Sequence, residues 1–327
     1  MAKIKYGQIG VGHAHASKIS AYRGSKDYEV IGVVEPDPQL RAGAAKSSAY
    51  RDLKWMTVEQ LLNTPGLQVV GVETRVRDLL NTAEKCVAAD KHVHIDKPAG
   101  ESLPQFKRIL DAAARKHLAV QMGYMYRYNP AFVMLRDMVK KGWIGEPFEV
   151  HTVMSKLVGG GTRKHLAQYA GGTIFELGCH LIDQVVAFLG AAEKIHAFAR
   201  HSSKLEDNLK DNMLAVFEYP KATASVRSSV NEVDGFARRH FVLCGSEATV
   251  HIQPLDNPKM QLALSGPRGR FRQGYQEVTF PKYVRYVDDA ADLARVVRHE
   301  KDPDFTYDHD YTVQKSVLLA SGLAIDR

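Results

Sequence analysis

The sequence has few of the features that mark membrane or secreted proteins. No apolar run in its 327 residues approaches the roughly 20 residues that a membrane-spanning helix requires, so no membrane partner is expected. Its three cysteines, Cys86, Cys179 and Cys244, are far apart, which argues against a disulfide framework and against a cysteine-based zinc motif. The first residues pass directly into a predicted strand, and no signal peptide is expected. These absences together predict a cytoplasmic protein.

Charge runs of one sign are also absent. Lysine and arginine number 44 against 37 aspartates and glutamates, a formal net charge of +7, but the basic residues are scattered along the chain. Without a dense basic run or a recognisable nucleic-acid module, nucleic acid is not expected as a partner. The mild positive excess would instead help to attract an anionic cofactor or substrate.

Up to residue 122, short apolar runs alternate with helix-like segments. Strands are predicted at 4–9, 29–34, 67–72, 92–95 and 119–122, and helices at 14–22, 38–47, 58–63, 79–89 and 103–116. Several of the strands are apolar on both faces, as strands of a parallel sheet are. The pattern predicts an α/β domain with a doubly wound parallel sheet over residues 1–122.

Beyond Gly123 the pattern changes to strands joined by short turns. Strands are predicted at 147–155, 194–200, 212–219, 222–230, 241–245, 249–253, 260–264 and 277–280, and helices at 130–141, 175–189, 283–298 and 310–323. Short connections favour antiparallel neighbours. Residues 123–327 are therefore predicted to form an α+β domain with a large, mostly antiparallel open sheet.

A glycine-rich turn follows the first predicted strand and precedes a predicted helix. Gly10 would permit the tight turn, and Gly12 would let the backbone approach phosphates at the helix amino terminus. His15 stands where a third glycine is usual, so the motif by itself is weak. The second predicted strand leads into Glu35, at the distance where a carboxylate holds the adenosine ribose. The segment predicts a Rossmann domain with a nicotinamide-dinucleotide site, the alternative being a phosphate-free strand–turn–helix corner.

The charge around Glu35 indicates which dinucleotide is preferred. Its carboxylate would accept hydrogen bonds from a free ribose diol and repel a 2′-phosphate, and Pro36 and Asp37 supply no cation beside it. NAD is therefore predicted as the cofactor. Arg41 and Lys46 on the following helix keep NADP open as an alternative.

Three polar segments fall at the carboxyl ends of predicted strands, where open parallel sheets bind ligands. They are the glycine loop with His13 and His15, the segment Glu73-Thr74-Arg75 and the segment Asp96-Lys97-Pro98. The lysine of the third segment is predicted to bind the nicotinamide ribose or a substrate hydroxyl and to tune a neighbouring acid–base group. A surface lysine at a strand end is the alternative. The proline would rigidify the turn, and the sequence leaves its cis or trans state open.

Another polar segment begins at Gly171-Gly172 and runs to Asp183. On an α-helix Glu176 and His180 are one turn apart on the same face, with Asp183 close by. A carboxylate beside an imidazole raises its pKa and orients it, which prepares a general base for an alcohol proton. A structural ion pair is one alternative. A metal pair is another, but the partner motif that such a site needs is missing, so no metal is predicted.

Four motifs occur in a fixed order along the chain: the glycine loop, Asp96-Lys97-Pro98, the segment 123–130 (GYMYRYNP), and Gly171-Gly172 to Asp183. In this order they resemble the Gfo/Idh/MocA superfamily, the glucose–fructose oxidoreductase and inositol dehydrogenase group, over essentially the whole chain. The resemblance implies an amino-terminal Rossmann domain and a carboxy-terminal domain with a large antiparallel sheet. It also implies a homodimer or homotetramer formed through the exposed face of that sheet.

The resemblance further implies roles for individual residues. Asp96-Lys97-Pro98 matches the family's acid-Lys-Pro motif, with aspartate where glutamate is commoner. Glu176 and His180 match its active-site carboxylate and histidine, with glutamate in place of aspartate. Thr74 begins a segment that lies near the cofactor, in which Arg75 replaces a proline and is expected to alter the nicotinamide or substrate side.

These observations predict an NAD(P)-dependent oxidoreductase that transfers a hydride between nicotinamide and a secondary alcohol or ketone of a sugar, cyclitol or related polyol. His180 would remove the hydroxyl proton, Glu176 would orient His180, and Lys97 would stabilise charge on the reacting oxygen. The alternatives are a redox-neutral lyase or glycosidase that retains NAD, and a non-catalytic nucleotide-binding regulator. The segment 159–165 is predicted as a flexible basic loop that helps to form the substrate pocket, and a solvated loop without that role is the alternative. Cofactor binding is predicted for Gly10, Gly12, His13, His15, Glu35, Thr74 and Lys97, and substrate binding for Arg127, Asn129, Arg163 and Asp183.

Overall fold

The chain forms two compact units in the computed structural model, which describes residues 2–326. The first unit contains residues 2–124, Val284–Tyr311 and Asp326, and the second contains Met125–Tyr283 and Thr312–Ile325. A carboxy-terminal segment of the chain therefore belongs to the first unit. Because compactness does not show that a unit folds by itself, the predicted domains 1–122 and 123–327 stay a prediction.

The first unit is built on a parallel sheet with the order β3-β2-β1-β4-β5-β6. Its strands are β1 (Ile4–Ile9), β2 (Tyr28–Val34), β3 (Trp55–Met56), β4 (Leu67–Val72), β5 (His92–Ile95) and β6 (Val120–Met122). Its helices before residue 125 are α1 (Ile19–Gly24), α2 (Pro38–Ala44), α3 (Val58–Leu62), α4 (Val76–Ala88) and α5 (Leu103–Arg115), with 3₁₀ turns at Ala16–Lys18 and Ser48–Tyr50. The predicted doubly wound parallel sheet is confirmed, although the patterns missed the two-residue strand β3. The strand order reverses between β1 and β4, and such a reversal creates a ligand-binding crevice.

Side-chain caps fix where several helices of this unit begin. Asp37 accepts hydrogen bonds from two backbone N–H groups in the first turn of α2, which also starts with a proline. Thr57 and Gln60 form a reciprocal capping box at α3, and Ser102 accepts a bond from the first turn of α5. These bonds satisfy N–H groups that have no partner within the helix, and so fix the residue at which each helix begins.

Three tyrosines pack together in the core of the first unit. The rings of Tyr6 and Tyr22 stack with centroids 4.0 Å apart, and Tyr28 meets both edge-on. Gly71 on β4 leaves room for them, since a Cβ there would lie 1.8 Å from the hydroxyl oxygen of Tyr6. The hydroxyl of Tyr28 donates to the carbonyl of Ala290 at 2.9 Å. The returning carboxy-terminal segment is therefore part of this core.

The second unit is built on an eight-stranded sheet with the order β14-β13-β12-β11-β7-β10-β9-β8. Its strands are β7 (Pro147–Val153), β8 (Lys194–Arg200), β9 (Asn212–Glu218), β10 (Thr223–Ser229), β11 (His240–Gly245), β12 (Ala248–Ile252), β13 (Lys259–Leu264) and β14 (Gly274–Thr279). Strands β7 and β10 pair in parallel, and the other neighbours are antiparallel. The predicted large, mostly antiparallel sheet is confirmed.

The helices that follow the first sheet are α6 (Pro130–Lys140), α7 (Gly160–Leu166), α8 (Cys179–Leu189), α9 (Gly235–Arg238), α10 (Val287–Val297) and α11 (Tyr307–Ala320). A 3₁₀ turn at Met125–Tyr128 precedes α6, and a π turn at Ile174–Gly178 precedes α8. Helix α7 corrects the prediction of a flexible loop at 159–165. Within residues 2–326, no helix combines the length and the apolar character needed to traverse a bilayer.

The two faces of the large sheet differ in burial. Helix α8 packs against β7 and β10, and side chains that alternate along β9, such as Met213, Ala215 and Phe217, are buried. On the opposite face, 49% of Phe198 and 67% of Tyr275 are exposed. This second face, which we call the open face, therefore presents aromatic rings to solvent in a single chain.

Candidate active site

The glycine turn lies at the carboxyl edge of the parallel sheet, directly after β1. Gly10 has a φ of +94°, and a Cβ on it would lie 2.4 Å from the backbone nitrogen of Thr74. The turn after β1 therefore passes the turn after β4 too closely for any side chain. A Cβ on Gly12 would lie 3.1 Å from Cγ of Arg75. The structure thus brings Gly10, Gly12 and Thr74 together in a tight backbone turn of the kind that cradles a dinucleotide pyrophosphate.

Glu35 follows β2 and ties the glycine turn to the start of α2. Its Oε2 accepts a hydrogen bond from the backbone N–H of Val11, and its Oε1 accepts one from that of Asp37, both at 2.9 Å. A carboxylate has further lone pairs, so these two bonds leave it able to accept ribose hydroxyls. The arrangement fits the adenosine end of a dinucleotide, and the role of Glu35 in binding it stays a prediction.

The guanidinium of Arg75 is paired with Asp37, two residues after Glu35. Nη2 of Arg75 is 3.1 Å from Oδ2 of Asp37, and both side chains are about one-third exposed. Arg75 was expected to act on the nicotinamide or substrate side. The structure instead places its guanidinium near the end of β2, where the adenosine end of a dinucleotide is expected. The reason is that the turns after β2 and β4 meet beside the glycine turn.

His13 and His15 both point toward Asp96, at the end of β5. Nε2 of His13 lies 3.0 Å from the carbonyl oxygen of Lys97, and its Nδ1 accepts the backbone N–H of His15 at 3.2 Å. Asp96 has one carboxylate oxygen 3.2 Å from Nδ1 of His13 and the other 3.2 Å from Nδ1 of His15. Both imidazoles therefore have protein partners, and their predicted contact with the cofactor stays a prediction.

Three buried residues complete this group: Lys18 and His94, which were not selected from the sequence, and Glu73, which was named at a strand end without a role. Nζ of Lys18 lies 2.5 Å from Oδ2 of Asp96, 3.3 Å from Oε1 of Glu73 and 2.9 Å from Nε2 of His94. Polar residues at the ends of buried strands were a signal for Glu73 and His94, but Lys18 gave none. We call these residues the Asp96 cluster: His13, His15, Lys18, Glu73, His94 and Asp96.

The pKa values of the Asp96 cluster are shifted in opposite directions. Burial by itself would raise the pKa of Asp96, but the neighbouring imidazoles and Lys18 outweigh it and hold that pKa well below its usual value. Burial raises the pKa of Glu73 well above its usual value, although Lys18 opposes the shift. Burial also lowers the pKa of His15 to about 4 and that of His94 to about 3. At neutral pH the cluster therefore holds an ionised Asp96, a cationic Lys18 and neutral His15 and His94.

Lys97 is held by this cluster through its backbone. Its N–H donates to Oδ1 of Asp96 at 2.7 Å, and its carbonyl is bonded to Nε2 of His13. The Lys97–Pro98 peptide bond is cis, and 1% of Lys97 is exposed. The alternative of a solvated surface lysine is therefore wrong.

Within residues 2–326, two groups of potential metal ligands have atoms within 4.8 Å of one another: His13, His15 and Asp96, and Glu73, His94 and Asp96. The Nζ atom of Lys18 lies within 3.3 Å of an atom of every member of the second group. An ammonium therefore already lies among those ligand atoms. No metal is predicted from the sequence, and that stays a prediction.

The segment that carries Glu176 and His180 is helical, but it is not a single α-helix. Glu176 lies in the π turn and His180 lies in the first turn of α8, which corrects the predicted α-helical spacing between them. Both side chains are buried, and the rings of His180 and Tyr126 meet edge-on with centroids 5.8 Å apart. π turns are rare and occur frequently at functional sites. The position of this turn therefore agrees with the predicted importance of the segment.

Arg127 and Asp183, both predicted to bind substrate, are bonded to each other. Nε and Nη2 of Arg127 donate to Oδ1 of Asp183 at 3.0 and 2.6 Å, and both side chains are buried. Asn129 caps α6 through its side-chain oxygen, and its amide nitrogen donates to the carbonyl of Leu255 at 2.9 Å. These residues tie α6, α8 and the segment around Leu255 together within the second unit.

Arg163 is also bonded within the protein. Its guanidinium donates to Asp207 at 2.7 and 3.0 Å, to Asp211 at 2.9 Å and to the side-chain oxygen of Asn231 at 2.9 Å. The arginine is 2% exposed, so it anchors α7 rather than lying on a solvated loop. A predicted role in binding substrate stays a prediction for Arg163, as for Arg127, Asn129 and Asp183.

Two family models match this chain in succession. Residues 4–124 match the oxidoreductase family with an NAD-binding Rossmann fold, and residues 132–251 match the GFO/IDH/MocA C-terminal domain. The first match covers the parallel sheet with its glycine turn and the Asp96 cluster. The second covers α6 to β12, including the π turn, Glu176 and His180.

Named relatives and solved structures agree with these matches. Inositol 2-dehydrogenase of Salmonella typhimurium is 23% identical over 150 residues, 45% of this chain and 45% of that protein. The chain spans about half the length of the curated relatives that it matches. UDP-N-acetylglucosamine 3-dehydrogenase of Acidithiobacillus ferrooxidans has a TM-score of 0.82 at 17% identity, over 100% of this chain and 99% of that one. Levoglucosan dehydrogenase, solved with NADH and levoglucosan, has a TM-score of 0.82 at 17% identity, over 98% of each chain. At such identities the likeness between structures shows the fold.

Proposed function

Because this chain belongs to the Gfo/Idh/MocA family of NAD-binding oxidoreductases, we propose that it is a dehydrogenase of sugars, cyclitols or related polyols. The reaction converts a secondary alcohol to a ketone, or the reverse. Bound NAD supplies the redox chemistry by exchanging a hydride at its nicotinamide. The substrate class is supported by the relatives named inositol 2-dehydrogenase, UDP-N-acetylglucosamine 3-dehydrogenase and levoglucosan dehydrogenase.

The observation that carries this proposal is the placement of Lys97. It follows β5 at the carboxyl edge of the parallel sheet, where ligands of such sheets bind. Both of its backbone polar groups are fixed, by Asp96 and by His13 of the glycine loop. A lysine whose main chain is fixed beside the nucleotide turn is preorganised, so it can donate a hydrogen bond to a reacting oxygen without a large reorganisation.

Three residues of the chain share the proton chemistry in this proposal. In the oxidation direction His180 takes the hydroxyl proton and Glu176 orients His180. Lys97 donates a hydrogen bond to the reacting oxygen and stabilises the negative charge that develops on it. In the reduction direction the same groups return the proton to the carbonyl oxygen.

We propose that the four residues predicted to bind substrate act mainly through bonds to other groups of the second unit. These bonds would keep the shape of the protein around the substrate. The guanidinium of Arg127 is bonded to Asp183 on α8, the helix that carries His180. Arg163 and Asn129 likewise bond to groups of the second unit. These bonds use most of the donors that a substrate would otherwise recruit.

The proposal is tested by following NADH absorbance and fluorescence while the purified protein is offered NAD with a panel of sugars, inositols and sugar acids. NADH that forms with one substrate class, and that does not form with His180→Ala, would support the dehydrogenase. NAD that stays bound while the substrate is cleaved without NADH release would favour the redox-neutral lyase or glycosidase. Nucleotide binding by the unchanged protein without turnover of any compound would favour a regulator.

We further propose a cytoplasmic homodimer or homotetramer that associates through the open face of the large sheet. The exposed rings of Phe198 on β8 and Tyr275 on β14 support this choice of face, because they leave apolar surface exposed at both edges of the sheet. Light scattering coupled to size exclusion tests the assembly. Phe198→Lys should reduce the measured mass to that of one chain, whereas an unchanged mass would contradict the choice of face.

A further inference from the structure

The buried ammonium of Lys18 has no role in the proposed chemistry, yet it lies among three acceptor atoms of the Asp96 cluster. Lys18 is 2% exposed and lies in the 3₁₀ turn after the glycine loop. Its three neighbours are a carboxylate oxygen of Asp96, one of Glu73 and the Nε2 of His94, at 2.5, 3.3 and 2.9 Å. An ammonium donates and accepts nothing, so one imidazole nitrogen and two carboxylate oxygens within 3.3 Å are suitable partners for its charge. A lysine is buried only with such partners.

The imidazole beside Lys18 is oriented to receive it. Nδ1 of His94 lies 2.9 Å from Oε1 of Gln121, and the amide nitrogen of Gln121 donates to the carbonyl of Asp289 at 3.1 Å. Oε1 of Gln121 is therefore the acceptor, and Nδ1 of His94 carries the proton. Its Nε2 then presents a lone pair to the ammonium. Lys18 is thus held from β4, β5 and, through Gln121, β6.

The ammonium is linked to Lys97 by one residue. Asp96 binds Lys18 through Oδ2 and the backbone N–H of Lys97 through Oδ1. Without a cation at Oδ2, the buried carboxylate would lose part of its charge compensation, and its ionised form would be disfavoured. Oδ1 would then be a weaker acceptor for the N–H of Lys97.

We propose that Lys18 is a positioning residue for Lys97, and that its ammonium is an internal cation in the place that a divalent metal ion would take between Glu73, His94 and Asp96. The first part rests on the proposed function of Lys97. The second part concerns the cluster itself and does not depend on any activity.

The second part is tested with Zn²⁺ alone. In Lys18→Ala the ligand atoms of Glu73, His94 and Asp96 remain within reach of one ion, so titration calorimetry should show Zn²⁺ binding at least about tenfold tighter than in the unchanged protein. Lys107→Ala, which removes an exposed ion pair with Asp111, is the matched control and should not gain Zn²⁺ binding. Equal Zn²⁺ affinity in the unchanged protein and in Lys18→Ala would overturn the proposal. So would a folded Lys18→Ala that binds no Zn²⁺.

The first part is tested with Lys18→Ala and Lys18→Met, the second of which keeps the aliphatic stem and serves if the first does not fold. We expect NADH to bind with little change, and kcat to fall about 100-fold because Lys97 is displaced. Ethylammonium should restore kcat of Lys18→Ala in a saturable way, since it replaces the missing cation, and a merely structural defect would not respond. Full activity of either variant, or no rescue, would overturn the positioning role. If the unchanged protein oxidises no polyol, the proposed function fails while the Zn²⁺ result still stands.

Discussion

Buried charges occur in both units of this protein, but they are arranged differently. In the second unit the guanidinium of Arg127 is bonded to Asp183 and that of Arg163 to Asp207 and Asp211, so each of these carboxylates has a guanidinium. In the Asp96 cluster the neighbouring imidazoles and Lys18 lower the pKa of Asp96, whereas burial raises the pKa of Glu73, so the two pKa values move apart. Asp96 of this cluster also accepts a hydrogen bond from the backbone N–H of Lys97. Arginine–carboxylate pairs of this kind hold elements of the fold together. Acidic groups whose pKa values are shifted in opposite directions, beside a lysine with a fixed backbone, are typical of catalytic sites.

The largest expected effect comes from Lys97→Met, which removes the ammonium but keeps the side chain's length. If the Asp96 cluster serves chemistry, kcat/KM should fall about 10³-fold while NADH still binds. Steady-state kinetics and NADH fluorescence titration measure the two effects. Lys107→Met, an exposed lysine on α5, is the matched control and should leave both unchanged. If Lys97→Met keeps its activity, the Asp96 cluster does not serve chemistry and does not differ in this way from the arginine–carboxylate pairs of the second unit.

Arg127→Met should have its main effect on stability. It leaves the buried carboxylate of Asp183 without its cation, and breaking a buried pair in this way costs about 3–5 kcal/mol in the free energy of unfolding. Urea denaturation measures the loss. The double variant Arg127→Met with Asp183→Leu should recover much of it, because neither charge is then buried alone. A double variant no more stable than the single one would contradict this reading of the pair.

The sequence predicted the scaffold well because the relevant signals are local. Apolar runs bounded by turns indicated β1, β4 and β5 with their observed bounds. Helix α7 was missed because three glycines at its start resemble a loop, and the burial of Arg163 by Asp207 and Asp211 is a contact distant in sequence.

The Asp96 cluster was missed in part for the same reason. Glu73 and Asp96 could be placed near the site from strand ends, since parallel strands end at one edge of the sheet. Lys18 comes from the turn after the glycine loop, and no periodicity reveals that its ammonium reaches β4 and β5. The π turn before His180 was likewise hidden, because a spacing of four residues gives no sign that the local hydrogen bonding departs from an α-helix.

A smaller effect is expected on cofactor choice. Glu35→Ser removes a carboxylate that would repel a 2′-phosphate, and the guanidinium of Arg75 lies nearby at Asp37. The NADP-to-NAD ratio of kcat/KM should therefore rise about tenfold. Adding Arg75→Met should reverse much of this gain if the guanidinium receives the phosphate. If the ratio does not rise in Glu35→Ser, the assignment of Glu35 to the ribose is wrong.

The smallest effect is expected in the dependence of stability on pH. Burial lowers the pKa of His94 to about 3, below the value near 6.5 of the unfolded chain. Its contribution to stability is therefore fully present above about pH 6.5 and is lost as the pH falls toward 3. Thermal unfolding from pH 7 to pH 4 should show a shallower decline in His94→Gln, which keeps hydrogen-bonding groups but does not titrate. His196→Gln, at an exposed position on β8, should follow the unchanged protein. Identical slopes in all three proteins would contradict the assigned burial of a neutral His94.

The comparison between the two regions is tested most directly by kcat of the folded protein. The unchanged chain, Lys97→Met and Arg127→Met are assayed with NAD and one oxidised polyol, at a temperature where circular dichroism shows all three folded. We predict that Lys97→Met loses nearly all turnover, and that Arg127→Met keeps turnover within about tenfold of the unchanged chain. An active Lys97→Met beside a folded but inactive Arg127→Met would contradict the account, because it would place the chemistry with the arginine pair rather than with the Asp96 cluster.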